Sequence, residues 1–379
     1  MTDYKQNALK LHKQLKGKIS INLKGKLDSV EALSTYYTPG VGAVSDYLAQ
    51  HPNAGKLYTW TNNLVAVISD GSAVLGLGDI GPTASLPVME GKCMLFKHFA
   101  GIDAIPIVLN VHSEEEIINT VQALAPSFGG INLEDIAAPK CFAIEEKLKK
   151  ILNIPIMHDD QHGTAIVVLA GLINACKVAN KNLAKTKIVL VGAGAAGVAI
   201  AKLLYEFAPT IDLILVDSIG IINKTRSDLN DTKKTLLKIT NKNNLSGSLT
   251  DALIGADIFI GVSKANLLTE KMIKLMNNKS IIFALANPDP EIIPTIAKKA
   301  GAFIVATGRS DYPNQINNVL AFPGIFRGAL DNNVKKITTQ HKLKTAQAIA
   351  DLVNEPSVEN IIPSVFNNQL VPTISRLII

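Results

Sequence analysis

Short apolar runs alternate with segments of helical spacing in the second half of the chain. The run Lys187–Val191 ends in a glycine cluster, and a helical pattern then continues to Phe207. Strands that alternate with helices in this way indicate a parallel, doubly wound sheet. By the same pattern, later strands are predicted at residues 211–216, 256–261, 280–286 and 302–306.

The first half of the chain mixes strands and helices as well. An apolar helix without acidic residues is predicted at Ala165–Ala179, and we place a domain boundary near its start. Residues 1–161 are then a mixed α/β domain, and residues 162–379 a Rossmann-type domain that ends in a helical segment. No low-complexity linker is visible, so we expect the domains to abut with a cleft between them. Strands of the first domain are predicted at residues 64–69, 105–109, 131–133 and 154–157.

The composition is that of a folded protein with a large core. Hydrophobic residues make up 47% of the chain and charged residues 18%, against about 25% charged in typical soluble domains. The uncharged stretch Ile188–Ala201 is shorter than a membrane span, and the N-terminus shows no signal peptide. Three separated cysteines without a CxxC pair fit a reduced, cytoplasmic protein better than a disulfide framework or a zinc site.

The net charge of +6 does not indicate a nucleic-acid partner. Only four of the 38 basic residues are arginine, the residue that usually makes bidentate contacts to phosphate and guanine. The one basic run, Tyr4–Leu27, has seven lysines and no acid. It is interpreted as a solvated leader or as a helix that docks on a partner subunit. A mild positive field would also steer a small dianion or a dinucleotide toward the protein.

The glycine cluster after the strand at 187–191 predicts a dinucleotide site. Gly192 permits a tight turn, Gly194 lets a pyrophosphate approach the backbone, and Gly197 allows close packing of helix on sheet. The amide groups and dipole at the start of the following helix attract phosphate. A glycine turn used only for packing is the alternative.

Asp217 lies twenty residues after Gly197, at the end of the next predicted strand. A carboxylate there can accept hydrogen bonds from the adenosine ribose, and it would repel a 2′-phosphate. This favours NAD. Lys224 and Arg226 are near in sequence, however, and could permit NADP.

Acidic residues follow two predicted strands of the first domain. Glu134 and Asp135 follow one strand and Asp160 follows another, and ligands bind at this edge of open α/β sheets. Three carboxylates suit Mg²⁺ or Mn²⁺, which prefer oxygen ligands. Each acid taken alone would more often be a helix cap or a turn residue. Their arrival from different strands is what favours a metal site.

Two further side chains are candidates for acid–base chemistry. Lys92 follows a glycine that is expected to open an apolar helix, which would aim the ammonium into the cleft. Beside a divalent cation its pKa would fall, so Lys92 is a candidate general base, with a solvated surface lysine as the alternative. Tyr37, in the turn-rich segment 35–42, could present a phenol to the same cleft. An ordinary aromatic loop is the alternative there.

Taken together, these segments resemble the malic enzyme family, in its short bacterial form. The match runs in order from about residue 18 to residue 330, and two of its motifs, YTPGVG and HDDQHGT, are specific to the family, whereas GAGAAG is not. The segments that carry it are YTPGVG (37–42), VLGLGDIGP (74–82), EGK (90–92), NLED (132–135), HDDQHGTA (158–165), GAGAAG (192–197), Asn287-Pro288 and Asn317-Asn318 with Phe322-Pro323-Gly324.

The resemblance implies a metal-dependent, NAD(P)-linked oxidative decarboxylation of L-malate to pyruvate and CO₂, and possible decarboxylation of oxaloacetate. It implies a malate- and metal-binding first domain and an NAD(P)-binding second domain. It implies catalytic roles for Tyr37 as general acid, Lys92 as general base and Asp159 in support, and metal binding by Glu134, Asp135 and Asp160. It implies that the substrate is bound by Lys92, Asn287, Asn317 and Asn318. The residues that it implies for cofactor binding are Thr164, Gly192, Ala193, Gly194, Ala195, Ala196, Gly197, Val198, Asp217 and Asn287.

One departure from the family concerns the substrate carboxylate. Some longer relatives hold it with an arginine in the segment that corresponds to residues 70–78, where this chain has Ala73. No arginine precedes Arg226. Lysine, metal, backbone amides or the side chains of Asn287 and Asn318 must then bind that carboxylate.

Two other functions remain open at this level. One is a metal-dependent hydroxy-acid dehydrogenase that stops at the keto acid. The other is a non-catalytic dinucleotide-binding sensor, which would have no need of Tyr37, Lys92 and three carboxylates. For assembly, the family resemblance implies a homodimer, with Tyr4–Leu27 as the candidate interface arm, and neither a nucleic-acid nor a membrane partner.

Overall fold

The structure, a computed structural model, describes residues 4–379. In that range the chain forms two parallel sheets, one in each half, with helices around them. Every predicted strand is present, and its ends lie within two residues of the prediction. The strands are β1 (Leu64–Ser69), β2 (Asp103–Val108), β3 (Gly130–Leu133), β4 (Ile156–His158), β5 (Lys187–Val191), β6 (Asp212–Val216), β7 (Ile258–Gly261), β8 (Ile281–Ala284) and β9 (Ile304–Thr307).

The first sheet has the strand order β2-β1-β3-β4, and all its pairs are parallel. Its strand order reverses between β1 and β3, because the chain moves outward to one side after β1 and to the other after β3. The loops that follow these two strands therefore open a crevice at the carboxyl edge of the sheet. Glu134 and Asp135 come directly after β3 and lie at this crevice.

The second sheet has the order β6-β5-β7-β8-β9, again with all pairs parallel. The order reverses next to β5, the strand that ends in the glycine cluster. This is the position at which a doubly wound sheet binds a nucleotide. The central strands of both sheets are mostly apolar and buried, as expected of parallel strands covered on both faces.

The helices connect and cover the sheets. They are α1 (Tyr4–Leu15), α2 (Val30–Tyr36), α3 (Gly40–Gln50), α4 (Gly55–Tyr58), α5 (Gly81–Ala100), α6 (Glu114–Leu124), α7 (Lys140–Ile151), α8 (Asp159–Ala179), α9 (Ala195–Phe207), α10 (Asp231–Leu236), α11 (Leu249–Leu253), α12 (Glu270–Ile273), α13 (Pro294–Lys299), α14 (Phe322–Asp331), α15 (Thr339–Asp351) and α16 (Leu370–Ser375).

Helix α8 is the core helix that joins the two halves. It begins at Asp159, six residues earlier than predicted, so that the acidic pair forms its first turn. By length and composition α8 could cross a membrane, but 78% of its most apolar window is buried inside the fold. It packs against α9 and α15 as the central helix of the hydrophobic core.

One expectation about a helix was wrong. Helix α5 starts at Gly81, so Lys92 lies in its second half and not at its opening. Pro82 stands in the first turn, where a missing backbone N–H costs nothing, and this fixes the earlier start. Over Tyr4–Gln50, which includes α1, α2 and α3, no residue is buried.

Candidate active site

A cleft of about 1050 Å³ lies between the carboxyl edges of the two sheets. The first half contributes Lys92 from α5 and the acidic residues after β3, and the second contributes the start of α9 and the loops after β7 and β8. Most of the predicted site residues meet here. Those that line the cleft are Lys92, Glu134, Asp135, Asp160, Thr164, Gly194, Ala195, Ala196, Asn287, Asn317 and Asn318.

Lys92 lies at the bottom of the cleft among carboxylates. Its Nζ is 2.8 Å from Oε1 of Glu134 and 2.5 Å from Oδ2 of Asp159, and it stands 4.1 Å from the ring centre of Phe322. Burial alone would lower the pKa of the Lys92 ammonium, but the charges of Asp159, Glu134 and Asp160 outweigh it and raise that pKa above its usual value. As it stands, Lys92 is a firmly protonated cation.

The carboxylates around Lys92 repel one another in a site with little water. Burial, together with the charges of Asp160 and Glu134, raises the pKa of Asp135 to about 9. Burial also raises the pKa of Asp159 to about 7 and that of Asp160 to about 6. One ammonium therefore does not compensate four ionised acids, so Asp135 and part of the Asp159 carboxyl groups hold a proton near pH 7.

Local backbone geometry holds these acids in place. Asp135 adopts a left-handed conformation with φ of 53°, and its N–H donates to Oδ2 of Asp160 over 2.7 Å. Asp159 and Asp160 occupy the first turn of α8, where the helix dipole stabilises negative charge. A Cβ on Gly163 would lie 1.9 Å from Oδ1 of Asp159, so glycine is required where the Asp159 carboxylate folds back over its own helix.

The donor set fits a hard divalent cation. Glu134, Asp135 and Asp160 offer only oxygen atoms, and Oδ2 of Asp135 is buried without a hydrogen-bond partner. Within residues 4–379 no three acidic, histidine or cysteine side chains form a closed metal shell as they stand. Glu134 is instead held by the ammonium of Lys92. The side chains would have to shift for the shell to close around a cation.

The glycine cluster has the geometry expected of a phosphate turn. Gly192 has φ of +111°, and a Cβ on Gly197 would lie 1.8 Å from the carbonyl oxygen of Gly192. Gly194, by contrast, faces open space at the start of α9. Gly192 and Gly197 therefore shape the turn, Ala193 lies half-buried within it, and Gly194 leaves its surface open. Val198 is buried in the core and does not face the cleft.

Asp217 is not the free carboxylate that the sequence suggested. Arg226 reaches both of its oxygens, at 2.8 and 2.9 Å, and Nζ of Lys233 lies 2.6 Å from Oδ2. Despite burial, these two cations hold the pKa of Asp217 well below its usual range. Two positive side chains thus surround the carboxylate that the sequence analysis assigned to an adenosine ribose. Lys224 makes no contact with Asp217; its backbone N–H donates to Asn244.

The asparagines lie on the second-domain side of the cleft. Asn287 follows β8, and a Cβ on Gly76 would stand 2.3 Å from its carbonyl oxygen, so the loop after β1 touches the loop after β8 here. The side-chain oxygen of Asn317 accepts a hydrogen bond from the backbone N–H of Val319. Asn317 and Asn318 both line the cleft.

Tyr37 does not line the cleft of its own chain. Its side chain is 66% exposed, and no tyrosine lines the cleft in the part of the chain that the structure describes. The motif lies between α2 and α3, on a segment without any buried residue. Sequence alone could place the phenol in a turn but could not say which surface that turn would face.

Several cleft residues were missed, among them Lys18 and Ser263. Lys18 lines the cleft and donates to the carbonyl oxygen of Pro87 over 2.7 Å, and Ser263 lines it after β7. Lys18 belongs to the basic run noted in the sequence, but the run gave no sign of which lysine turns inward. Ser263 carried no signal beyond its position at a predicted strand end.

Comparison with known families agrees with this geometry. Residues 161–375 match the model of the malic enzyme NAD-binding domain, and residues 16–116 and 112–149 match that of the malic enzyme N-terminal domain. The chain belongs to the malic enzyme family.

Similar proteins cover nearly the whole chain. A bifunctional malic/malolactic enzyme of Bacillus subtilis is 50% identical over 99% of this chain and 92% of its own length. An NAD-dependent malic enzyme of Geobacillus stearothermophilus is 52% identical, over 96% of this chain and 76% of its own length. The crystal structure of the NAD-dependent malic enzyme of Thermotoga maritima superposes with a TM-score of 0.94 at 50% identity, covering 98% of each chain.

Proposed function

We propose that this chain catalyses the oxidative decarboxylation of L-malate to pyruvate and CO₂ with reduction of NAD(P)⁺. The observation that carries the proposal is one cleft that holds a buried lysine, an acidic cluster and an open phosphate turn. Malate offers a C2 hydroxyl and two carboxylates, which match a base and a cation-binding site placed beside a dinucleotide. The relatives named as malic enzymes support the same reaction.

Lys92 is proposed to accept the proton of the C2 hydroxyl. The carboxylate of Asp159 accepts a hydrogen bond from the Lys92 ammonium and fixes its direction, which is a positioning role. The surrounding carboxylates now raise the pKa of Lys92. Positive charge placed on Glu134 and Asp160 would cancel that influence and bring Lys92 toward the range of a general base.

Glu134, Asp135 and Asp160 are proposed to hold Mg²⁺ or Mn²⁺. When bound, the cation would supply Lewis-acid stabilisation of negative charge on the substrate oxygens. The chain's own contribution is to gather the three carboxylates at the crevice of the first sheet and to exclude water around them. Asn287 and Asn318 are proposed to orient the substrate and the nicotinamide by hydrogen bonds from the opposite wall.

Both cofactors are proposed to bind, with NAD favoured. Gly194 and the start of α9 would hold the pyrophosphate, and Thr164 lies in the same cleft. Arg226 and Lys233 offset the charge of Asp217, so a 2′-phosphate would not meet an uncompensated carboxylate. The relatives include one named as NAD-dependent and one, from Halomonas elongata, named as NADP-dependent.

Lys18 is proposed to take the place of the missing arginine in binding a substrate carboxylate. Besides Lys92, it is the one lysine or arginine that lines the cleft among residues 4–379. Changing Lys18 to methionine should raise KM for malate about tenfold while kcat falls much less, because the contact is present in ground and transition states alike. An unchanged KM would assign carboxylate binding to the asparagines or the metal.

The protein is proposed to act as a homodimer in the cytoplasm. Large apolar side chains of the N-terminal segment Tyr4–Gln50 are exposed, among them Leu9, Leu23 and Val30 at 75–82%. An apolar surface of this kind normally has a partner. We propose a second copy, because the segment carries Tyr37 and each cleft lacks a phenol without it. Tyr37 would then donate a proton to C3 of the enol in the partner's cleft.

Initial rates test the reaction directly. We expect NAD⁺ and NADP⁺ to be reduced with L-malate and Mn²⁺, pyruvate to accumulate, and EDTA to abolish both. Metal-independent activity would contradict the site as proposed. Reduction of NAD⁺ with accumulation of oxaloacetate would indicate a plain dehydrogenase, and binding of NAD⁺ without any turnover would indicate a sensor.

A redox-neutral conversion of malate to lactate and CO₂ is a second candidate activity. It is supported by the Bacillus subtilis relative, whose name includes malolactic activity. Decarboxylation of added oxaloacetate, which needs the metal site but no hydride transfer, is a further expected activity. Both would use the same cleft.

A further inference from the structure

A second cavity, of about 520 Å³, lies on the other side of helix α8 from the active-site cleft. Thr164 faces the cleft, whereas Gln161 and Ala165, spaced by one helical turn, line the second cavity. No residue lines both. Its size is within the usual range for small-molecule sites, and none of the roles assigned above uses it.

Lysines from separate elements line this cavity. Lys149 comes from α7, Lys202 from α9, Lys342 from α15, and Lys238 follows α10. Lys149 is paired with Glu145 at 2.5 Å. Among residues 4–379, no carboxylate lies within 4 Å of the ammonium groups of the other three.

The acids of the cavity do not offset these charges. Glu145 already serves both Lys149 and His162, and Glu146 is paired with Lys150 outside the cavity. Glu206, the third acid on its wall, is solvent-exposed, as are Lys202 and Lys238, and it offsets at most one of the three lysines without an ion pair. The cavity therefore retains an excess of positive charge.

Two polar groups point to a missing partner. Nζ of Lys342, half-buried, finds only the neutral Nδ1 of His162, at 2.9 Å. Burial, together with the charge of Lys149, lowers the pKa of Lys342 to about 7. Gln161 is only 5% exposed, and its side-chain Nε2 has no hydrogen-bond partner. A buried amide donor without a partner and an ammonium that reaches Glu145 only through His162 are both groups that an anionic ligand would satisfy.

We propose that this cavity is a second ligand site, which binds a small organic polyanion through Lys149, Lys202, Lys342 and the amide of Gln161. The anionic groups are carboxylates or phosphates. Apolar side chains complete the wall, including Phe142, Val198 and Leu203, so the ligand has an apolar body as well. Gln161, which lines this cavity, directly follows Asp160 of the active-site cleft along the chain.

The test measures binding to the full-length protein by calorimetry, without divalent metal and with NAD⁺ at saturation to fill the cofactor site. Inorganic pyrophosphate is the phosphate probe, and tricarballylate is the carboxylate probe. We expect saturable binding of at least one probe, and the stronger probe identifies the preferred anionic group. Lys202→Glu should weaken it about tenfold or more, the effect of losing one charge-assisted hydrogen bond.

Lys147→Glu is the matched control. Lys147 lies on α7 and is exposed, it does not line the cavity, and its substitution changes the net charge equally. It should leave binding within about twofold of wild type. Lys202 is itself exposed, so its variant should fold. The proposal is overturned if neither probe binds, if a probe binds only when NAD⁺ is left out, or if both variants bind it equally.

Discussion

Lys92 and Asp159 form the innermost ion pair of the cleft, with Nζ 2.5 Å from Oδ2 and side chains 7% and 0% exposed. Because both charges are buried, removal of either one leaves the other without compensation. Asp159 can keep this position only because Gly163 has no side chain. A glycine one turn into α8 thus supports the group that is proposed to take up the substrate proton.

Lys92→Ala should lower turnover by at least ~10², the contribution expected of a general base. NAD⁺ binding should be retained, because Lys92 lies away from the phosphate turn. Steady-state rates and the quenching of intrinsic fluorescence by NAD⁺ measure the two properties. Lys97→Ala, an exposed change on the same helix, is the control and should retain activity. Near-normal turnover in Lys92→Ala would remove Lys92 from the proposed role.

The acidic cluster predicts how stability depends on pH. Asp135, Asp159 and Asp160 have pKa values raised to about 9, 7 and 6, so the folded state holds protons that the unfolded state releases. Protonation of these three acids therefore stabilises the metal-free folded state most at low pH. The free energy of unfolding should fall as the pH rises from about 6 to 9.

Thermal unfolding between pH 6 and pH 9 tests this. Tm should decrease with pH in EDTA, and saturating Mn²⁺ should reduce or remove the decrease, because a cation stabilises the ionised acids. Asp135→Asn should also flatten the curve without metal. A Tm that rises with pH in EDTA would show that the acids are not buried together as described.

Mixing two inactive variants tests the proposed origin of Tyr37. Tyr37→Phe and Lys92→Ala proteins, combined and allowed to exchange subunits, should regain about a quarter of wild-type activity if each cleft takes its phenol from the partner. One cleft of each mixed dimer is then intact, and half of the dimers are mixed. No recovery, although light scattering shows exchanged dimers, would place Tyr37 in the cleft of its own chain.

The contacts of Asp217 predict cofactor selection. Arg226→Ala removes the bidentate partner of Asp217 and leaves only Lys233 to offset the negative charge of its carboxylate, which would then repel a 2′-phosphate more strongly. The ratio of kcat/KM for NADP⁺ to that for NAD⁺ should fall about tenfold, the size of one lost charge-assisted contact. Arg376→Ala, an exposed arginine elsewhere, should leave the ratio unchanged. An equal loss with both cofactors would mean that Arg226 only supports the loop.

The sequence predicted the strands and much of the cleft because both depend on local patterns. Short apolar runs such as Leu64–Ser69, bounded by turn residues, are typical of buried strands, and residues at the ends of parallel strands meet at one edge. The sequence alone was therefore enough to predict that Glu134 and Asp160 lie near each other.

Other features depend on long-range contacts that have no local pattern. Asp217 is at the predicted strand end, but its engagement by Arg226 and Lys233 depends on how the following loop folds back. Lys18 enters the cleft only because its backbone and side chain contact Glu90 and Pro87, which are about seventy residues away. The position of Tyr37 depends on the packing of a segment that has no core of its own.

Product stoichiometry tests the central claim most directly. Pyruvate, lactate and reduced nucleotide should be quantified together during turnover of L-malate with Mn²⁺ and NAD⁺. The account predicts one pyruvate for each NADH formed, with lactate only in trace amounts. Lactate formed without net NADH would contradict oxidative decarboxylation as the principal activity, and NADH formed without pyruvate would contradict decarboxylation altogether.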